Sequence, residues 1–118
     1  MPNGYNGKIL RVNLSNKSYD IEEPNERFYR KYLGGRALGL YYMLKEVATR
    51  ESPFDSKNKI IFAPSIITGS PIPGTSRHSV VSKSPLTGGY AESEAGGYWG
   101  VELKKAGSGE LLSLENTT

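Results

Sequence analysis

Apolar and polar positions alternate over Lys8–Asn13 (KILRVN), setting Ile9, Arg11 and Asn13 on one side and Leu10 and Val12 on the other. Period two is the mark of a strand. Ser15-Asn16-Lys17-Ser18 reads as a turn, and alternation resumes over Tyr19–Glu22, so the two runs predict a hairpin. Pro24-Asn25 breaks it. Asn25 is placed to cap a helix over Glu26–Leu33 with Phe28, Tyr32 and Leu33 inward, and Gly34-Gly35 is expected to end it in a left-handed cap. A second helix is predicted over Arg36–Ala48, with Leu38, Tyr41, Tyr42, Leu44 and Val47 on its apolar face.

Thr49–Asn58 reads as a loop, and Lys59–Ala63 (KIIFA) as a short buried strand. Pro64–Ser76 carries three prolines and two glycines, which predicts an ordered irregular loop. Ser79–Ser84 and Tyr90–Glu94 read as strands joined by the turn Pro85-Leu86-Thr87-Gly88-Gly89. A third helix is expected over Tyr98–Ala106, with Trp99, Leu103 and Ala106 sharing a face and Gly107 after its end. Residues 108–115 have the makings of one more strand, which Asn116-Thr117-Thr118 stops. Together the pattern predicts one α+β domain with mixed or antiparallel sheets and about three short helices.

Composition sharpens this picture in three ways. The 118 residues suit one domain, and 36% hydrophobic content with many glycines and prolines predicts a loop-rich one. The chain has no cysteine and one histidine, His78, which removes thiolate zinc sites and cysteine-ligated clusters from this polypeptide. The net charge is +3, with basic residues spread rather than striped, so neither nucleic acid nor membrane is an expected partner. No apolar run approaches the ~20 residues of a membrane span, and MPNGYNGKIL lacks a signal-peptide pattern, which points to a cytoplasmic protein.

Chemistry concentrates between Thr68 and Gly107, where more than half of the glycines meet hydroxyls, one arginine and three carboxylates. Gly96-Gly97 precedes a predicted helix, where outward amides and the helix dipole favour an anion and no Cβ bars a phosphate. Arg77, ahead of a strand, offers a planar fork suited to phosphate. Each alone has an ordinary alternative, a tight turn for the glycines and a surface ion pair for Arg77. Glu92 and Glu94 fall on one strand face, where paired carboxylates either hold a divalent cation or simply face solvent. Gly34-Gly35-Arg36-Ala37-Leu38-Gly39 lacks dinucleotide spacing and follows a helix; it reads as a helix–helix joint in which Arg36 can also meet an anion. No serine, lysine or carboxylate has an evident partner base, and His78 receives no catalytic role.

Four ordered pieces span most of residues 4–107: GKILRVNLS, YLGGRALGLYYMLKE, the run from Asn58 to Gly100, and VELKKAG. They resemble the N-terminal domain of the tungsten-containing aldehyde:ferredoxin oxidoreductase family, most specifically in SKSPLTG followed by the Gly-Gly-aromatic-x-Gly helix start. The resemblance implies a base on which a tungsten (or molybdenum) bis-pterin cofactor lies, in an enzyme that oxidises aldehydes to acids and passes electrons to ferredoxin. It implies that Arg77 contacts cofactor phosphate and that amides around Ala95, Gly96 and Gly97 meet it too. Glu94 falls where the best-known pattern has an asparagine that helps bind a magnesium ion bridging the pterin phosphates; glutamate keeps an oxygen ligand and adds a charge. Family enzymes are several times longer, and their [4Fe–4S] cysteines lie beyond the matching region, so this chain alone is expected not to be catalytic. The family-like domain is expected over 1–107, and 108–118 is expected to be a frameshifted, truncated or vector-derived tail that packs poorly. The competing reading is a non-enzymatic binding or interaction module, with homo-oligomers formed through exposed Trp99, Tyr41 and Leu112.

Overall fold

A computed structural model describes residues 6–47, 52–55, 57–107 and the backbone of 111–115. Among the described residues nine elements follow in order: β1 (Ile9–Asn13), β2 (Ser18–Glu22), α1 (Glu26–Tyr32), α2 (Gly35–Glu46), β3 (Lys59–Pro64), β4 (His78–Lys83), β5 (Tyr90–Ala95), α3 (Trp99–Lys105) and β6 (Leu111–Glu115). The strands make one mixed sheet in the order β2-β1-β6-β3-β4-β5. The α+β class, with three helices among the described residues, is therefore the fold.

β1 and β2 form the expected hairpin, with Leu10 opposite Ile21 and Val12 opposite Tyr19. Lys17 supplies the left-handed residue that reverses the chain, and the Asn13 side chain accepts from the Asn16 amide at 3.1 Å. β3, β4 and β5 form an antiparallel meander in which Ile61 faces Val81 and Ser79 faces Glu94. β6 lies between these two halves, parallel to β1 and antiparallel to β3. The poorly packed tail expected beyond residue 107 is thus not what Leu111–Glu115 form: their backbone pairs on both sides in the middle of the sheet. The rest of 108–118 lies outside the described residues.

Ile9, Ile61, Ala63 and Val81 point to one side of the sheet and are buried under α2. α2 answers with Leu38, Tyr42 and Met43, and its C-cap adds Val47; Leu38 lies four and five residues before the adjacent Tyr42 and Met43, and Val47 four beyond Met43, so that they share a face. Gly39 lets the two layers meet closely, since a Cβ there would stand 2.6 Å from Val81 Cγ2. Leu44, expected on the inner face, is 76% exposed; the stripe turns away from it and takes Met43 instead.

α1 starts as expected, with the Asn25 side chain accepting from the Phe28 amide at 3.0 Å. Its buried residue is Tyr29, while Leu33 is exposed and itself adopts the left-handed cap assigned to glycine. Phe28, Tyr29, Tyr32, Tyr41 and Tyr42 then form a cluster of mostly tilted and edge-on rings between α1 and α2. Below it, Arg11 pairs with Glu46 at 2.5 Å and Lys59 with the same carboxylate at 3.1 Å. Tyr42 donates its hydroxyl proton to Glu22 at 3.1 Å. Burial first, and the Glu22 charge second, push the Tyr42 phenol well above its ordinary value.

Candidate anion-binding corner

The 65–77 loop delivers Arg77 to the head of β4. The Thr68 hydroxyl accepts from the Ser65 amide and donates to the Arg77 carbonyl, both at 2.9 Å. The Gly69 amide donates to the Thr75 carbonyl at 2.8 Å, closing the loop on itself. His78, next in chain, pairs across the ladder with Ala95, so Arg77 and Gly96 leave the sheet at the same end. Contact confirms this, since a Cβ on Gly96 would lie 3.7 Å from Ser76 Oγ. Gly97 has φ +85° with open space around it, a conformation that suits glycine and turns the chain into α3. No side chain caps α3 at Tyr98.

The charged groups converge here. Arg77 Nη1 lies 3.6 Å from one oxygen of Glu94, and Arg36 Nη2 lies 2.9 Å from the other. Arg36 Nη1 also reaches Glu92 at 3.3 Å, and the second Glu92 oxygen accepts from the Tyr90 hydroxyl at 2.7 Å. The bond to Glu94, then the charges of Glu92 and Glu94, raise the Arg36 guanidinium further. Burial and the bond to Glu92 raise the Tyr90 phenol. Arg77, Glu94, Ala95, Gly96 and Gly97 are therefore brought together as neighbours. Among the described residues, no group of three or more His, Cys, Asp or Glu is placed to hold a metal by itself.

Arg36 joins this corner from 58 residues away in sequence, at the start of α2. Its position depends on Gly34, which bridges to Ser65 beyond β3.

α3 packs differently from its predicted face. Gly100 and Lys104 are its buried residues, Ala106 is exposed, and Trp99 is 45% exposed. Gly100 presses on His78, where a Cβ would come within 3.0 Å of Nδ1. Trp99 leans on the rings of His78 and Phe62 at 4.9 and 4.8 Å. Lys104 sends its ammonium under the loop to the Ser65 and Ile66 carbonyls, fastening α3 to the segment that carries Arg77.

His78 Nδ1 is buried without a hydrogen-bond partner, and burial lowers the imidazole from its ordinary 6.5. The unfolded chain then binds the proton more readily, so stability is complete above about pH 6.5 and declines as pH falls through it toward the folded value. Chemical denaturation of the parent is expected to show lower stability at pH 5 than at pH 7. His78→Gln should flatten that difference, and an equal slope in both proteins would exclude His78 as its source.

The sequence profile of the aldehyde ferredoxin oxidoreductase N-terminal domain matches residues 9–113. The chain belongs to the aldehyde ferredoxin oxidoreductase family. The match runs through Ser113, into β6. A tungsten-containing aldehyde ferredoxin oxidoreductase of Pyrococcus horikoshii is 50% identical over 104 residues, covering 88% of this chain and 17% of that protein. An aliphatic sulfonate oxidoreductase WOR-like subunit of Pyrococcus furiosus is 36% identical over 106 residues, covering 87% of this chain and 17% of that protein. The active-site complex BamBC of benzoyl coenzyme A reductase, solved with 1,5-dienoyl-CoA, superposes with a TM-score of 0.93 at 30% identity. That superposition takes in all of this chain and 18% of the other. The chain thus spans about one sixth of the length of the curated aldehyde ferredoxin oxidoreductases it matches. Among the described residues, no helix is long and apolar enough to cross a membrane.

Proposed function

We propose that this chain is a pterin-cofactor-binding domain of a cytoplasmic oxidoreductase that oxidises aldehydes to carboxylic acids with ferredoxin as acceptor. The observation that carries the reading is the corner where Arg36 and Arg77 converge beside Gly96-Gly97. Two planar guanidiniums next to a glycine backbone form a phosphate-sized docking point. The family supports the same assignment, since its curated relatives carry tungsten in their names. Relatives named for a sulfonate and for benzoyl-CoA share this domain, so substrate choice belongs to other parts of the assembly.

Arg77 and the Ala95, Gly96 and Gly97 backbone would receive the cofactor phosphate. Glu94 fits a magnesium ion only as one carboxylate among phosphate and water ligands, which is how that ion is commonly held. The bis-pterin, when bound, supplies the metal and the redox chemistry; this chain supplies position and charge. A [4Fe–4S] cluster would draw its thiolates from elsewhere, because the chain has no cysteine. The chain alone is not catalytic in this reading.

Fluorescence anisotropy with a pterin monophosphate, against the same pterin without phosphate, tests the proposal. The phosphorylated form is expected to bind selectively, and Arg77→Ala to weaken it about tenfold or more. Equal binding of the two pterins by the folded parent would remove the corner from consideration. Aldehyde-dependent viologen reduction by this chain alone would refute the non-catalytic assignment.

A further inference from the structure

Among the charged groups of the corner, Glu94 is arranged unlike an ordinary surface carboxylate. One oxygen meets Arg36 at 2.9 Å and the other meets Arg77 at 3.6 Å. A carboxylate that gives one oxygen to each of two arginines stands where two oxygens of a phosphate would stand. Glu92 is held differently, between the Tyr90 hydroxyl and Arg36, so it anchors the guanidinium on its other side. The corner thus contains two cations and two anions and offers a free anion no net charge.

We propose that Glu94 is a built-in counter-anion, a side chain that occupies the phosphate position between Arg36 and Arg77 and gives up both arginines when a phosphate enters, which frees its carboxylate for a magnesium ion beside that phosphate. The inference rests on the cofactor-phosphate reading above and adds Arg36 to the binding residues. Both arginines are largely exposed, at 63% and 71%, so their pairs with Glu94 are weak enough to exchange. Glu92 remains behind on Arg36, keeping that guanidinium aimed while Glu94 moves. Parking the carboxylate there also prevents two like charges from facing each other while the corner is empty.

The test uses the 118-residue chain in EDTA, with inorganic pyrophosphate as probe and calorimetry or phosphorus NMR as readout. Glu94→Gln is expected to bind pyrophosphate about tenfold more tightly than the parent, the equivalent of two exposed ion pairs no longer competing. Adding Arg36→Ala should abolish that gain. Glu26→Gln, which makes the same change in net charge on α1 beside Arg30, should leave affinity at the parent level. Glu94→Ala provides a second variant in case the amide disturbs folding. Unchanged or weaker binding in the folded Glu94 variants overturns the proposal, as does a gain that survives loss of Arg36. Such a result alongside a persisting Arg77→Ala defect with pterin monophosphate would discard the counter-anion and leave the cofactor corner intact. Absence of phosphate selectivity in the parent would discard the corner itself.

Discussion

Gly34→Ala is expected to lower the thermal midpoint by roughly 10 °C or more, through about 3 kcal/mol of lost stability. Two costs combine. Gly34 sits at φ 79° and ψ −166°, a region that residues with a Cβ avoid. A Cβ would also stand 2.8 Å from the Pro64 carbonyl oxygen and 3.0 Å from Ser65 Cα, and both are backbone atoms. A flexible side chain could yield, but Pro64 is held in the ladder opposite His78. Gly35→Ala separates the two costs, because Gly35 is also left-handed, at φ 59°, yet has nothing within 4 Å. That variant should lose only about 1 kcal/mol. Thermal unfolding of both proteins decides the matter, and equal midpoints would show that contact with β3 carries no weight. Since the same joint positions Arg36, pterin monophosphate binding should weaken in Gly34→Ala more than in Gly35→Ala.

Glu46→Gln should cost about 2–3 kcal/mol in urea denaturation. Its carboxylate serves Arg11 and Lys59 together, and the Lys59 side chain is only 8% exposed. The amide keeps the shape and removes the charge, leaving Arg11 with its longer 3.4 Å pair to Glu22 and weakening the hold on the buried Lys59 ammonium. The figure sits below that for a fully buried pair because Arg11 and Glu46 retain 24% and 17% exposure. The exposed pair of Glu26 with Arg30 is the comparison, and Glu26→Gln should cost no more than ~0.5 kcal/mol. High salt should erase the smaller effect and spare the larger. Similar losses at the two sites would mean that burial adds nothing to the Glu46 network.

Much of the architecture was legible because its signals are local. The KILRVN alternation, the Asn25 cap and the turn before Tyr90 each lie within a few residues of what they determine. Arg77 and Gly96-Gly97 could be placed near each other because one hairpin connects them. β6 was legible as a strand within residues 108–115, but its place between β1 and β3 was not, since its partner β1 is nearly the whole described chain away. Arg36 was legible as a possible anion contact but not as the partner of Glu94, because that pair joins α2 to β5. Lys104 was hidden by its type: periodicity counts lysine as polar, whereas here the stem is buried and the ammonium finds carbonyls. Leu33 took the left-handed cap because its amide still bonds the Tyr29 carbonyl while Gly34 is needed one position later for the approach to β3.

The place of β6 has a consequence for how the molecule is made. A hairpin and a three-stranded meander can each form early from neighbouring segments, but the seam between them stays open until β6 slots in. Closing a parallel pair across so much intervening polypeptide is entropically slow. During synthesis the β1 and β3 edges therefore wait, unzipped, for the keystone to emerge from the ribosome.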